Sequence, residues 1–189
     1  MNEYFRRYGE HLYIIEGGIS GLSVEEIAEK AYQHKLHTKK PVVVCIDYLQ
    51  ITRQNNLSTD RKTKTDIVTT TLKSLASQVG MPVIALSSVS RNTYNENVNI
   101  SAYKESGDTE YTGGVLLGWN WEGVTNQPDL AKKRQEIKEC KKRGYRRITL
   151  EILKYRNAER DASVNLRYYP AYSHFESEEK LVTNAVIRA

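Results

Sequence analysis

The sequence predicts an α/β fold built on a mainly parallel sheet flanked by helices, and three observations support this. Pro41 is followed by the apolar run VVVCIDYLQI, which is typical of a parallel strand covered on both faces. A second apolar strand is predicted at residues 83–87, and helical spacing of apolar residues precedes each strand. Strands that alternate with helices along a chain favour parallel pairing through right-handed crossovers.

The first half of the chain contains two of the predicted helices. Residues 11–16 (HLYIIE) predict a short buried strand, and the sequence SVEE starting at Ser23 has the form of a capping box that begins a helix. The polar residues 52–65 are too many for a tight turn. A second helix then runs through residues 67–79 and ends near Gly80, where a C-cap glycine belongs.

The second half predicts a loop, a charged helix and more strands. Residues 91–107 are polar and predict a loop, and residues 115–119 predict a further short strand. A charged helix is expected at 127–142 and an antiparallel strand pair at 148–156 and 164–169. Residues after Glu176 resemble a tail, so the expected organisation is a domain at 1–176 and a tail at 177–189.

Composition excludes several classes of protein. The 189 residues are 39% hydrophobic and 27% charged, which fits one folded domain with a short appendage. No apolar run is long enough for a membrane helix or a signal peptide, so a cytoplasmic location is expected. Two cysteines and four histidines without metal-ligand spacing argue against a disulfide scaffold and a metalloenzyme.

The positive charge is concentrated in one segment. The whole chain has a formal net charge of +5, whereas residues 132–147 hold nine basic and two acidic residues, a net of +7. The rest of the chain is therefore at −2. The segment is either the solvated face of a helix or a contact for a polyanion.

Asp47 is a candidate site residue because of its position. Ligands of open α/β sheets bind beyond the carboxyl ends of the strands, and Asp47 directly follows the apolar run VVVCI. A carboxylate there can hold magnesium through water beside a nucleotide phosphate. It can equally be an acid that caps the next loop.

Lys154 and Arg156 form a second candidate site. Side chains of a strand alternate between faces, so Ile148, Leu150 and Ile152 share one face. The same period extends this face to Lys154 and Arg156 at the end of the strand. Two adjacent cations suit an anion such as a triphosphate, although a strand that emerges into water has the same pattern.

A third candidate lies in the predicted loop, in the sequence SAYKESG. Lys104 and backbone amides near Gly107 can contact a phosphate backbone, because glycine lets the backbone approach closely. An ordinary surface loop has a similar composition.

Taken together, several segments resemble the C-terminal ATPase domain of DnaB-type replicative helicases, in the versions that phages and mobile elements carry. The resemblance extends over residues 12–176 and is carried by the segments LYIIEGGISGLSVEEIAEKA, VVVCIDYLQIT, LKSLASQVGMPVIALSSVSRN, YKESGDTEYTGGVLLGW and ILKYRN. It implies a RecA-like P-loop NTPase core in a hexameric ring, which uses ATP and Mg²⁺ to translocate on single-stranded DNA and unwind duplex DNA. It also implies a primase or helicase loader as a further partner, and no membrane.

The resemblance also implies roles for individual residues. Asp47 takes the place of the Walker B magnesium carboxylate, and Ser88 stands where the family has a sensor glutamine. Lys154 and Arg156 match the pair that reaches a neighbouring subunit's nucleotide, with Arg156 as the arginine finger. The residues implied in DNA binding are Arg91, Lys104, Glu105 and Gly107.

The sequence departs from the family at the phosphate-binding loop. The motif G-x-x-x-x-G-K-[ST] is expected upstream of LYIIE, and Gly17, Gly18 and Gly21 are not followed by Lys-Ser or Lys-Thr. The family's catalytic glutamate belongs to the same upstream segment, together with the phosphate-loop strand and helix. Gly113 and Gly114 replace the usual acid before VLLG.

Three functions follow from these features. The first is a fragment of a replicative helicase that is inactive alone and binds ATP weakly. The second is a non-enzymatic module that binds single-stranded DNA or joins a ring and so regulates an intact helicase. The third, a RecA-like recombinase or a clock-type ATPase, is disfavoured by the KESG and KYRN segments.

Overall fold

A computed structural model of the protein divides the chain into two units, residues Met1–Ser87 and Ser88–Ala189. The structure describes residues 2–17, 21–53, 61–88, 98–100, 112–125, 127–156 and 162–178. Among these residues, no helix has both the length and the apolar character that crossing a bilayer requires.

The first unit combines three helices with a two-stranded parallel sheet. The strands β1 (Val44–Ile46) and β2 (Val83–Ala85) pair with Val44 opposite Val83 and Ile46 opposite Ala85. The helical segments, in chain order, are α1 (Asn2–Tyr8), a 3₁₀ turn (Gly9–His11), α2 (Val24–Thr38), a second 3₁₀ turn (Leu49–Ile51) and α3 (Arg61–Gln78).

Helix α2 begins at the predicted capping box. The Ser23 backbone N–H donates to Glu26 Oε2 at 2.8 Å, and the Glu26 N–H donates to Ser23 Oγ at 3.1 Å. The hydrogen bond from the Ser23 backbone, followed by that from its side chain, lowers the pKa of Glu26. The reciprocal bonds satisfy two N–H groups that have no partner within the helix.

We expect Ser23→Ala to lower the free energy of unfolding by about 1 kcal/mol, because the substitution removes the N-cap acceptor. Since folding lowers the pKa of Glu26, its stabilising effect is present above the ordinary glutamate pKa and is lost as the pH falls through the folded value. Urea denaturation at several pH values measures both effects. Ser77→Ala is the control, because the Ser77 hydroxyl donates within α3 to the carbonyls of Lys73 and Ser74 and caps no helix end. An equal loss in this control would contradict the capping role.

The core of the first unit lies on one face of the sheet. Val24, Val68 and Met81 are almost completely buried, and Val44 and Ile46 of β1 join the same cluster. The alternate side chains of the two strands and their flanks are exposed, namely Val43, Cys45, Ile84 and Leu86. The expectation that the strand after Pro41 is covered on both faces is therefore wrong for the described residues, because Val43 is 55% exposed and Cys45 is exposed as well.

The strand predicted at residues 11–16 is also wrong. His11 ends a 3₁₀ turn, and residues 12–17 form no strand. Tyr13 and Ile14 are each 68% exposed. An apolar run becomes a strand only where a neighbouring strand accepts its backbone hydrogen bonds, and no described strand pairs with this segment.

The described part of the second unit contains a four-stranded antiparallel sheet in the order β3-β4-β5-β6 and one long helix. The predicted terminal strand pair is confirmed as β4 and β5, and β3 joins β4 in antiparallel pairing. The elements are β3 (Val115–Trp121), α4 (Leu130–Arg143), β4 (Arg146–Tyr155), β5 (Ser163–Tyr169) and β6 (His174–Ser177).

The α/β class is confirmed, although parallel pairing among the described residues is confined to β1 with β2 and to one isolated bridge between Ser23 and Arg53. Apolar periodicity identifies a strand without fixing the direction of its neighbour, and β3 pairs with β4 in the antiparallel direction. Strand β6 was not predicted; it ends at Ser177, and the Glu178 N–H donates to the Asn165 carbonyl at 2.9 Å.

Candidate functional site

Asp47 lies at the carboxyl end of β1, directly after Ile46, and is exposed. The Leu86 N–H donates to the Ile46 carbonyl at 3.0 Å, and the Leu49 N–H donates to the Leu86 carbonyl at 2.9 Å. The chain after Asp47 therefore crosses the carboxyl end of β2. This is the edge at which parallel α/β sheets bind ligands.

Gln50 is a further residue at this edge, although no sequence motif singles it out. Its Nε2 donates to Ser87 Oγ at 2.8 Å, which connects the segment after β1 to the residues after β2. The signal in the sequence is that Gln50 is a polar residue within the apolar run VVVCIDYLQI. Ser88, the predicted counterpart of the sensor glutamine, is the next residue; it is exposed and begins the second unit.

A cavity of about 510 Å³ lies beside β1 in the first unit. It is lined by β1, by α2 and by the segment after the first 3₁₀ turn, where the Tyr13 ring stacks on His34 with centroids 5.1 Å apart. Asp47 and Cys45 both line it. Asp47 thus lies beside a space large enough for a small ligand.

Asp47 suits magnesium as a single carboxylate. No group of three or more His, Cys, Asp or Glu side chains gathers among the residues that the structure describes. Magnesium needs no such group, because it keeps several waters and binds through one or two carboxylates together with substrate phosphates. The residues present therefore fit a nucleotide-bound magnesium better than an ion held by protein ligands alone.

A β-bulge changes the direction of Lys154. Leu117 pairs with Ile152 whereas Leu116 pairs with Lys154, so Leu153 is an extra residue in β4. Directly opposed residues of antiparallel strands share a face. Since Leu116 and Leu117 lie on opposite faces, Lys154 lies on the face opposite to Ile152.

The prediction that the two cations continue the face of Ile148, Leu150 and Ile152 is therefore wrong. The Arg156 N–H donates to the Gly114 carbonyl at 3.1 Å, which extends the register beyond the bulge and keeps Arg156 on the same face as Lys154. Arg156 is exposed and Lys154 is half-buried. The two cations remain neighbours at the end of β4.

Gly118 accommodates the bulge. A Cβ atom built at this position would lie 2.9 Å from Leu153 Cδ1, so a larger residue here would force the side chain of the extra residue to move. The predicted DNA-contacting residues lie outside the described residues, and their roles remain predictions; they are Arg91, Lys104, Glu105 and Gly107.

Comparison with known families identifies one match over most of the chain. The family model for the DnaB-like helicase C-terminal domain matches residues 5–177. A DnaB replicative helicase of Rickettsia prowazekii is 28% identical over 172 residues, which are 87% of this chain and 35% of that protein. A DnaB replicative helicase of Buchnera aphidicola subsp. Schizaphis graminum is 30% identical over 112 residues, which are 57% of this chain and 23% of that protein.

Two solved structures share the fold. An ATPase domain superposes with a TM-score of 0.68 at 24% identity over 84% of this chain and 52% of that one. A DnaB-like replicative helicase, described with its interactions with primase, superposes with a TM-score of 0.66 at 24% identity. The superposition covers 82% of this chain and 35% of that one. The predicted RecA-like core is thereby confirmed. The chain spans about a quarter to a third of the length of the curated relatives it matches.

Proposed function

Because the chain belongs to the DnaB-like helicase C-terminal domain family, we propose that it acts as the C-terminal part of an ATP-driven replicative DNA helicase. The observation that carries this proposal is Asp47, which stands exposed at the carboxyl end of β1 beside a cavity. We propose that the complete enzyme is a hexameric ring that moves on single-stranded DNA, with a primase or a helicase loader as partner.

Asp47 would orient a magnesium-bound water next to the phosphates of ATP. The magnesium supplies charge neutralisation for the γ-phosphate when nucleotide is bound. Lys154 and Arg156, side by side at the end of β4, would approach the nucleotide of a neighbouring subunit and stabilise the negative charge that develops during phosphoryl transfer. In this arrangement, each subunit would bind its own magnesium through Asp47. Its Lys154 and Arg156 would complete the nucleotide site of the neighbouring subunit.

We expect the 189-residue chain, tested by itself, to bind ATP no better than millimolar and not to hydrolyse it. The amides and the lysine of a phosphate loop make most of the contacts that bind a triphosphate. These 189 residues contain no G-x-x-x-x-G-K-[ST] motif. Isothermal titration calorimetry with Mg–ATP measures the affinity. Micromolar binding would show that another part of the chain holds the phosphates.

We expect weak, salt-dependent binding of single-stranded DNA, with a Kd of roughly tens of micromolar or higher, in the range of non-specific contacts. Lys104→Ala should weaken binding further, because the lysine ammonium contacts backbone phosphate. Fluorescence anisotropy of a labelled oligonucleotide at low salt measures both values. Unchanged affinity of Lys104→Ala would argue against the loop's role.

A second candidate is a non-enzymatic module that binds single-stranded DNA or joins a ring and so regulates an intact helicase. Such a role does not need a phosphate-loop motif within these 189 residues, which contain none. Mixing the chain with an intact relative distinguishes the two functions. A regulatory module enters the ring and changes the relative's rate of ATP hydrolysis, whereas a separated helicase part gains activity only when a phosphate-loop segment is supplied.

A further inference from the structure

The outer edge of β1 has no neighbouring strand among the described residues. On the inner edge, the Leu86 N–H donates to the Ile46 carbonyl at 3.0 Å, so the backbone groups of Ile46 face β2. Backbone groups of successive residues in a strand point to opposite edges. The N–H and C=O of Cys45 therefore point to the outer edge, where a further strand can pair.

The cavity of about 510 Å³ runs along this outer edge. Its lining includes all seven consecutive residues 41–47, and it continues with α2 and with four residues of segment 12–17. We call residues 12–17 the strap. The strap forms no strand in the structure, and Tyr13 and Ile14 are each 68% exposed. An unpaired strand edge and an exposed apolar segment thus border the same cavity.

The volume of the cavity indicates what can occupy it. Strands of a sheet lie about 4.8 Å apart, packed layers lie about 10 Å apart, and each residue advances about 3.3 Å, so one strand residue fills roughly 160 Å³. The cavity therefore corresponds to about three residues of a strand. A whole additional strand beside residues 41–47 needs about twice this space. The space suits an inward shift of the strap better than the entry of a foreign strand.

The chain after the strap is already aligned with the chain after β1. The Arg53 N–H donates to the Leu22 carbonyl at 3.0 Å, and the Arg53 carbonyl accepts from the Val24 N–H at 2.7 Å. The Arg53 guanidinium donates to the Gly21 carbonyl at 2.9 Å. These bonds accompany a parallel bridge between Ser23 and Arg53. One end of the strap is thus held beside β1, and the rest of it can close by a pivoting movement.

The order of strap, α2 and β1 along the chain favours parallel pairing. Parallel neighbours need a crossover of a dozen or more residues, usually a helix, and α2 provides one of 15 residues. The sequence HLYIIE at residues 11–16 is apolar enough for a strand. The strap therefore has the connection and the composition of the first strand in a β-α-β unit.

The face of each strap side chain follows from α2. The buried side chains of β1 pack in the core cluster with α2, so the exposed Cys45 lies on the opposite face of β1. The Tyr13 ring stacks on His34 of α2 with centroids 5.1 Å apart, which places Tyr13 on the α2 side. Side chains of a strand alternate, so in a paired strap Ile15 shares the α2 side and Ile14 shares the face of Cys45.

We propose that the strap moves inward and pairs with β1 as a third parallel strand, which gives the first unit a closed position in addition to the open one described above. Closure provides partners for the backbone groups of Cys45 and covers apolar surface of the strap. It also fills the cavity beside Asp47, so the space next to this carboxylate depends on the position of the strap. This movement involves the first unit alone and is independent of the proposed helicase function.

The first test traps the closed position with a disulfide. Cysteine replaces each of residues 12–16 in turn in the full chain, and Cys45 is the second thiol. A disulfide needs Cβ atoms about 3.8 Å apart, so we expect Ile14→Cys to cross-link at least about fivefold faster than Tyr13→Cys or Ile15→Cys under mild oxidation. Peptide mass mapping without reductant identifies the bond. Adding Cys45→Ser to each variant should remove it.

The second test uses proline, which has no N–H to donate. Parallel strands share one orientation, so a residue on the core side directs its backbone groups toward the β2 side of the sheet, as Ile46 does. In the closed position the Ile15 N–H therefore points to β1. The Ile14 N–H points outward to solvent, where an edge strand tolerates proline.

Ile15→Pro should therefore disrupt the pairing and raise the hydrogen-exchange rate of the Cys45 amide about fivefold or more, whereas Ile14→Pro, the matched control, should leave this rate within about twofold. The Ile46 amide lies in the ladder with β2 and should exchange equally in both variants. Exchange followed by NMR measures these rates. Far-UV circular dichroism checks that the helices of each variant are intact.

Four outcomes overturn the closed position. They are equal cross-linking rates along residues 12–16, no cross-link with Cys45 at any of them, and equal exchange of the Cys45 amide in the two proline variants. The fourth is a disulfide that joins two chains rather than one, because it would show that a second copy enters the cavity. If a proline variant does not fold, the cysteine series alone decides.

Discussion

Arg156→Ala should lower ATP turnover about 10³- to 10⁵-fold in a ring built from this chain and the phosphate-loop segment of a related helicase, which is the usual effect of losing an arginine finger. Arg156 is exposed at the end of β4, next to Lys154 on the same face. Its charge would act on a neighbour's γ-phosphate, so ATP binding in the subunit's own site should change little. Steady-state hydrolysis and nucleotide titration measure the two quantities.

Arg147→Ala is the matched control because Arg147 belongs to the same strand but lies near its other end, about 4 Å from Glu122 and Glu178. We expect this control to retain turnover. Mixing Arg156→Ala subunits with phosphate-loop mutants should restore part of the activity, since some interfaces then join an intact loop to an intact arginine. Turnover of the Arg156→Ala ring at the parental rate would show that Arg156 merely ends a solvated strand.

Met81→Ala should destabilise the first unit by about 2–5 kcal/mol, as do other truncations of fully buried large side chains. Met81 has no exposed surface and packs in the cluster that includes Val24 and Val68. Its removal leaves a cavity that helices α2 and α3 can fill only partly. Urea denaturation followed by far-UV circular dichroism, which reports on these helices, measures the loss.

Leu36→Ala is the control for this substitution, because Leu36 is an apolar residue of α2 that is 53% exposed. Its truncation removes little buried surface and should cost much less than that of Met81. A loss for Met81→Ala no larger than for Leu36→Ala would show that the Met81 site collapses around the smaller side chain or that the cluster contributes little to stability.

Elements with local signals were predicted most accurately from the sequence. Helix α2 begins directly after its N-cap, Ser23, because the capping box is encoded within four residues. Helix α3 ends at Gln78, and Gly80 has a φ of 63°, the left-handed conformation expected of a glycine after a helix. Strands β4 and β5 carry a clear period of two. Each of these signals depends only on neighbouring residues.

Features that depend on distant residues were missed. Whether residues 12–17 pair as a strand depends on a neighbouring strand, and apolar character alone does not supply one. Strand β6 is only four residues long, so its pattern is too short to recognise. The direction of a neighbouring strand, as for β3, is likewise a property of the whole sheet.

The candidate site likewise has one feature that neighbouring residues predict and one that depends on distant residues. The position of Asp47 follows from a rule about strand ends and agrees with the structure. The face of Lys154 does not follow from alternation, because the extra residue Leu153 reverses the register after Ile152. A bulge is a property of two paired strands, and the glycine that permits it, Gly118, lies 35 residues earlier in the chain.

The contrast between the two thiols makes this chain suited to site-specific labelling. Cys140 is buried, and burial followed by its hydrogen bond to Glu136 raises its pKa, so little reactive thiolate forms there at neutral pH. Cys45 is exposed where β1 lines the cavity, two residues before Asp47. An alkylating dye therefore attaches first at Cys45, and the unmodified sequence places a reporter group beside the candidate magnesium carboxylate.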